Sequence, residues 1–290
     1  MTKTSRSGCK INWFLKVTGK RENGYHDIVT LFQYLESPSD TIEFDFAAAP
    51  GIRVFCDDPG LPQDLDNLAG KAAQSYALAA GIAPCWRIFI KKEIPSAAGL
   101  GGGSADAGTV LRMLEEQYGL LGKEKLLEIA AKIGADVPFF LSPGLVLAEG
   151  IGEKMTEFSL PENLPPFLII FPGFPVSARW AYCNMAKERI TPAQENIAEE
   201  LLSALQNNDT SVLAKLMHND LEYALFDKFP LLEVLRQDLI SAGALRVMVS
   251  GSGSSLIALF QDKETRQHAA EKIKELLDDP VSAVFESHCS

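Results

Sequence analysis

Cys9, Ile11, Trp13, Leu15 and Val17 alternate with Lys10, Asn12, Phe14 and Lys16. That period of two predicts a strand with one apolar face, and with Lys10 and Asn12 together on the other. Shorter strands are expected at Thr41–Phe46, Ile52–Cys56 and Arg87–Lys92. Helices are expected at Leu68–Ala80, Ser104–Tyr118 and Lys123–Ile133, each followed by a glycine (Gly81, Gly119, Gly134). A hairpin is read at Leu145–Ala148 and Lys154–Phe158, turning at Gly150-Ile-Gly152. The proline-rich stretch Leu160–Pro166 reads as a linker. Beyond it come a strand at Phe167–Phe171 and helices near Gln194–Gln206, Ser211–His218 and Leu231–Ala242. A hairpin at Leu245–Val249 and Leu256–Phe260, a helix at Lys263–Leu277 and a strand at Ser282–Glu286 complete the chain. Strands and helices without regular βαβ spacing predict an α+β protein in two domains, 1–158 and 159–290.

Composition narrows the function classes. The 290 residues carry a net charge of −11, with 47% apolar and 22% charged residues. Such a chain can bury a substantial core and is not disordered. Its acidity argues against nucleic acid or a membrane surface as partner, since both are polyanions. No apolar run approaches the ~20 residues of a membrane span, and Lys10, Asn12 and Lys16 interrupt any apolar leader, so a cytoplasmic location is expected. Five scattered cysteines without a CxxC pair, and histidines without HxxxH spacing, predict neither a disulfide framework nor a resident metal. Charge is uneven, however. Residues 1–25 hold Lys3, Arg6, Lys10, Lys16, Lys20 and Arg21 against Glu22 alone, a local +5 suited to a small anionic ligand or simply to a solvated basic strand.

The strongest candidate chemistry is Pro95-Ser-Ala-Ala-Gly99-Leu100-Gly101-Gly102-Gly103-Ser104-Ala-Asp106-Ala107, which follows a predicted strand and opens a predicted helix. Glycines let backbone N–H groups approach a ligand closely, and a helix start aims them at a phosphate. Ser104 can cap the helix or meet a phosphate or its Mg²⁺. No Gly-Lys-Ser/Thr follows, so this is not a Walker A loop, and the spacing is not that of dinucleotide folds. In Gly134-Ala-Asp136-Val-Pro-Phe-Phe, Asp136 follows a helix C-terminus amid apolar residues, where a carboxylate needs a partner or a chemical role. Alone it reads equally as a surface turn. Lys10 can pair with Asp136 and stabilise transferring charge; taken alone it reads better as a solvent-facing lysine on an edge strand. Gly19-Lys-Arg-Glu-Asn-Gly24-Tyr25-His26 offers an aromatic face and imidazole edges, and Ser250-Gly-Ser-Gly253-Ser-Ser255 reads as a glycine hairpin.

Together these segments resemble the GHMP kinase superfamily, whose phosphate loop is a Pro-x-x-x-Gly-Leu-Gly-rich run ending in Ser. Within it the pattern is similar to that of the kinases acting on 4-diphosphocytidyl-2-C-methyl-D-erythritol. Lys10-Ile-Asn12, Asp66-Asn67-Leu68, the triple glycine, Gly-Ala-Asp136-Val-Pro-Phe-Phe, Gly150-x-Gly152-Glu153 and Ser250-Gly-Ser-Gly253 all match, in order, over almost the whole chain. The resemblance implies a ribosomal-protein-S5-domain-2-like N-terminal domain that binds ATP, a ferredoxin-like C-terminal domain, and an active site between them. It implies phosphorylation of the substrate 2-hydroxyl by ATP, carried as the Mg²⁺ complex, in non-mevalonate isoprenoid synthesis, by a monomer or homodimer. By matching position, Asp136 is the general base and Lys10 its partner. Asn67, Lys92, Pro95 and Gly99–Ser104 would bind ATP. Tyr25 and Tyr182 would sandwich the cytosine, with His26 on the cytidine and Asn12 on the methylerythritol. Four positions depart from the pattern: Cys9 stands for a usual alanine, Ala105 for a second serine, Ala178 for a threonine and Ile151 for an arginine. Homoserine and mevalonate kinases share the loop but not Tyr25-His26; a nucleotide-binding module without turnover is the alternative from another class.

Overall fold

The first strand is longer than its alternation suggests and is buried on both faces. The computed structural model describes residues 1–161, 163–186, 188, 190–277 and 283–286. In it β1 runs Thr2–Lys20 and β2 runs His26–Asp45, and every residue from Ser7 to Leu15 is buried. β1 lies between β2 and the short strand His218–Asn219, which pairs with Phe14 and Leu15. Lys10 and Asn12 do not face solvent, which corrects the solvent-facing reading of Lys10: the residues are 5% and 0% exposed.

Chain contacts divide the molecule into two compact units that are interleaved along the sequence. The first comprises Met1–Lys10, Tyr34–Ser96 and Gly101–Pro143; the second comprises Ile11–Gln33, Ala97–Leu100 and Gly144–Ser290. The units thus do not follow one cut in the linker.

In the first unit β3 (Gly51–Cys56) and β4 (Cys85–Lys91) run parallel, and β4 pairs antiparallel with the end of β2. The helices α1 (Leu68–Ala80), α2 (Gly102–Tyr118) and α3 (Gly122–Ile133) bury one apolar stripe each. Tyr76, Val110, Leu111, Leu114, Leu126 and Ile129 pack with Ile42, Phe44, Trp86, Ile88 and Ile90 of the strands. A 3₁₀ turn, Pro138–Leu141, buries Phe139 and Phe140.

In the second unit β5 (Leu145–Gly150) pairs antiparallel with the start of β2 and with β6 (Lys154–Phe158). A separate antiparallel sheet contains β7 (Phe167–Phe171), β9 (Arg246–Val249), β10 (Leu256–Leu259) and β11 (Ala283–Glu286), in the order β11-β7-β10-β9. With α8 (Pro230–Ser241) before β9 and α9 (Lys263–Leu276) before β11, this is the βαββαβ pattern of a ferredoxin-like fold. The α+β reading thus holds. The helices α4 (Ala178–Asn184), α5 (Ile197–Gln206), α6 (Thr210–Leu216) and α7 (Glu222–Lys228) and the short β8 (His218–Asn219) complete the described elements. Of these, α4, α7 and β8 are absent from the sequence reading, being only seven, seven and two residues long. Pro165 and Pro166 are buried, so that end of the linker packs. Ser282, His288 and Cys289 lie outside the described residues. Among those described, no helix is long and apolar enough to cross a membrane.

Candidate active site

The first unit assembles the glycine run, a lysine and a carboxylate. Helix α2 starts two residues earlier than the sequence suggests, and its N-cap is Gly101. Ser104 therefore lies in the first helical turn and does not cap it. The amides of Gly102, Gly103 and Ser104 have no carbonyl four residues back inside the helix, and the helix dipole makes that end positive. Gly101 holds φ +75°, and a Cβ there would lie 3.1 Å from both Lys10 Cγ and Phe140 Cζ. Only glycine lets the loop come this close to Lys10.

Lys10 Nζ stands 3.8 Å from Asp136 Oδ2. Burial pulls the Lys10 pKa below its ordinary value, with Asp136 opposing that pull. Asp136 follows α3 in a turn closed by Val137 N–H donating to Gly134 O at 3.2 Å. Val137, Phe139 and Phe140 next to it are buried, yet the Asp136 side chain is 36% exposed, so it is less enclosed than its apolar neighbours imply. Cys9, in the place of the usual alanine, is fully buried, and burial pushes its thiol up, so it acts as a small neutral core residue.

Two proposed nucleotide residues have structural tasks. Asn67 caps α1, accepting Ala69 N–H at 2.9 Å, and donates to Pro62 O at 2.9 Å. Lys92 places its ammonium between Asp40 and Asp106, 2.9 Å from Asp106 Oδ2 and in contact with Asp40 Oδ2. Burial works against the Lys92 charge, but Asp106 and Asp40 outweigh it and raise its pKa. Burial pushes the Asp106 carboxyl up to about 7 against the pull of Lys92. Pro95 is half-buried on the way into the loop.

The second unit holds the rest of the loop and the aromatic residues. Ala98 and Gly99 sit against the Ser250–Ser255 turn. A Cβ on Gly99, at φ +79°, would lie 2.0 Å from Ser250 O. Ser250 Oγ donates to Gly99 O at 3.2 Å and Ser255 N–H to Ala98 O at 3.1 Å. The serine-glycine turn is thus a support for the loop and more than a hairpin. Asn12 Nδ2 donates to Thr30 Oγ1 at 2.7 Å, and Thr30 Oγ1 donates to Phe14 O at 2.6 Å. His26 stacks on Tyr182 of α4, ring centroids 5.4 Å apart at 24°. Tyr25, at 56% exposure, stands clear of that stack. Burial, aided by Lys20, pulls the His26 pKa down.

Thr30, Asp40 and Asp106 carry these arrangements and were not singled out from sequence. Asp106 lies within the glycine motif, but a helix residue in sequence gives no sign of burial. Thr30 and Asp40 act across 18 and 52 residues of chain, with no local signal.

Comparison with known proteins decides among the kinases that share such a loop. Residues 67–144 match the family model described as the GHMP kinases N terminal domain, and residues 201–279 match GHMP kinases C terminal. A 4-diphosphocytidyl-2-C-methyl-D-erythritol kinase of Syntrophotalea carbinolica is 41% identical over 267 residues, 91% of each chain. One of Geobacter sulfurreducens is 36% identical over 280 residues, 93% of this chain and 94% of the relative. The chain belongs to the 4-diphosphocytidyl-2-C-methyl-D-erythritol kinases of the GHMP family. A crystal structure of a 4-(cytidine 5'-diphospho)-2C-methyl-D-erythritol kinase superposes with a TM-score of 0.82 at 32% identity, covering 98% of both chains. Homoserine kinase from Cytophaga hutchinsonii, at 23% identity and a TM-score of 0.72, shares the fold alone. The diphosphocytidyl-methylerythritol kinase family is thus reached by sequence and structure together, and Lys10, Asp136 and the glycine loop are its candidate machinery in this chain.

Proposed function

We propose that this kinase transfers the γ-phosphoryl group of ATP to the 2-hydroxyl of 4-diphosphocytidyl-2-C-methyl-D-erythritol, a step of non-mevalonate isoprenoid synthesis. The observation that carries the reading is the Lys10–Asp136 pair, with Lys10 against Gly101 of the loop. Asp136 takes the proton of the attacking hydroxyl, help worth ~10²–10⁴ in rate. Lys10 fixes that carboxylate and stabilises charge on the transferring group. The first-turn amides of α2 and the loop Pro95–Ser104 hold the polyphosphate, and Mg²⁺, arriving with ATP, neutralises part of its charge. Phosphoryl transfer asks mainly for such positioning and electrostatics. Asn67 and Lys92 border the adenosine. Tyr25 and Tyr182 flank the cytosine, His26 addresses the cytidine, and Asn12 the methylerythritol.

The division into an ATP-binding domain, 1–158, and a C-terminal domain, 159–290, belongs to the same reading; the two family-model matches fall on either side of it. So does action in the cytoplasm, as a monomer or homodimer. The deciding assay follows ADP release with the cytidyl substrate, homoserine and mevalonate in parallel. Turnover with the cytidyl substrate alone is expected. Turnover with either other alcohol in its place, or ATP binding without ADP release, would overturn the reading.

A further inference from the structure

Three buried ionisable side chains stand beneath the start of α2, and of these only Lys92 has a part in the reading above, beside the adenosine. Lys92, Asp40 and Asp106 have side chains 10%, 0% and 4% exposed. Carboxylates so far from water persist only with strong partners. Asp40 Oδ2 and Asp106 Oδ2 both accept from the Lys92 ammonium. Asp40 Oδ1 accepts the backbone N–H groups of Glu93 at 2.7 Å and Ile94 at 2.8 Å. Asp106 Oδ1 and the nearby Ser7 hydroxyl of β1 are buried without a hydrogen-bond partner among the described residues, so Asp106 is held through Lys92.

These bonds reach both ends of the glycine run. Glu93 and Ile94 directly precede Pro95, and Asp106 lies in the second turn of α2. A Cβ on Gly102, the first residue of α2, would lie 3.4 Å from Lys92 Nζ and 3.0 Å from Ile94 Cγ2. The ammonium therefore rests against a helix N-terminus, where the dipole opposes a cation. The two carboxylates hold it there.

We propose that Asp40 and Asp106 are positioning residues for ATP: through Lys92 they tie the entry of the glycine loop to the first turns of α2, so that the phosphate-binding amides are aimed before the nucleotide arrives. The inference rests on the loop being the phosphate site. A loop set in advance spares ATP the ordering that a slack one would demand, so loss of the tie is read in the KM for ATP. It leaves the Lys10–Asp136 chemistry alone, so kcat changes little. Bulk electrostatics has the opposite sign. Removing a negative charge near a polyphosphate site would by itself tighten ATP.

The test uses the full chain with Asp106→Asn and, separately, Asp40→Asn, whose amide oxygen still accepts from Glu93 and Ile94. Steady-state kinetics vary ATP and the cytidyl substrate independently, alongside thermal unfolding and binding of a non-hydrolysable ATP analogue. The KM for ATP and the analogue Kd should rise about tenfold, the loss expected for a charge-assisted hydrogen bond. The KM for the cytidyl substrate and kcat should stay within about twofold. Lys92→Gln combined with Asp106→Asn should be no worse than the larger single effect, since the residues act through each other. An unchanged or lower KM for ATP, additive effects in the double variant, or both KM values rising together with a lowered Tm overturns the positioning role. If one variant fails to fold, the other carries the same expectation, and failure of both makes the network a structural anchor and likewise overturns it. Wild-type protein that binds the analogue but releases no ADP overturns the proposed reaction instead, and the analogue Kd still decides the positioning.

Discussion

Lys10 Nζ lies 3.8 Å from Asp136 Oδ2, and the two side chains are unequally enclosed, the lysine 6% exposed and the carboxylate 36%. A general base must reach its substrate, whereas its electrostatic partner works best where water does not screen it. In the proposed reaction the pair divides those requirements between its members. Asp136→Asn keeps the shape and the neighbour but loses the proposed base. It should leave the Kd for ATP within about twofold and lower kcat by at least ~10². Single-turnover phosphate transfer at saturating ATP measures this, and near-normal transfer would remove Asp136 from the role of base.

The same pair sets an alkaline limit on activity. Burial lowers the Lys10 pKa from 10.5, so the buried lysine gives up its proton at a lower pH than a free one. If transfer needs the ammonium, kcat/KM, which reports the free enzyme, falls as pH rises through that lowered value. The alkaline limb of the kcat/KM profile should therefore have its midpoint below 10.5. In Lys10→Arg the guanidinium stays charged throughout, so whatever activity remains should lack that limb. A limb common to both proteins would have another origin.

Thr30 orients Asn12. Its hydroxyl accepts from the Asn12 amide and donates to Phe14 O, so the NH₂ end of the amide is committed and the carbonyl end is turned away. Thr30→Val keeps the volume and leaves the buried NH₂ without this acceptor, a loss of about 1–3 kcal/mol. The KM for the cytidyl substrate should rise about tenfold while that for ATP holds, and Thr30→Ser should restore it. Equal KM values in the Val and Ser variants would show that the bond does not set the amide.

Glycines of the loop serve separable ends. Gly99 is at φ +79° with Ser250 O only 2.0 Å from a Cβ position. Gly99→Ala should destabilise by at least about 1–2 kcal/mol from the left-handed backbone alone, with overpacking added. Gly103 is exposed, helical, and clear of everything nearer than Leu68 Cδ1 at 3.5 Å. Gly103→Ala should keep or raise Tm, since alanine favours the helix by about 1 kcal/mol, yet weaken ATP binding if phosphate comes to that amide. Comparing Tm with the Kd for ATP in the two variants separates structure from ligand approach.

Much of this architecture is legible locally. Helices α1 and α2 stop at Gly81 and Gly119, both left-handed, as their sequences imply. The glycine run and Asp136 announce themselves by composition. What escapes notice is set by distance along the chain. Alternation in β1 is real, but whether a face meets water depends on what packs over it, so Lys10 read as exposed while the structure buries it. Ser37-Pro-Ser-Asp40 has the composition of a turn, yet lies inside β2 with Asp40 fully buried. His218 read as the end of a helix and Asn219 as no element, because two residues of parallel pairing with Phe14 and Leu15 leave no periodicity.

That β1–β8 pairing sits beside a buried carboxylate, which makes stability depend on acid. Asp220, 1% exposed, accepts from Val17 N–H at 2.8 Å, Lys16 Nζ at 3.0 Å and His218 Nε2 at 2.7 Å. Burial works to raise its pKa, but the bonds from His218, Val17 and Lys16 outweigh it, and the folded value lies below the ordinary 3.8. A carboxyl whose pKa is lower in the folded state stabilises fully above the unfolded value and loses that contribution as pH falls through the folded one. Asp220→Asn should thus lower unfolding stability by about 1–3 kcal/mol near neutral pH. The gap should narrow below about pH 4 as the wild-type carboxyl takes up its proton. Urea unfolding of both proteins at neutral pH and near pH 3 measures the two gaps. A gap of the same size at both would mean that Asp220 stabilises by shape and not by charge.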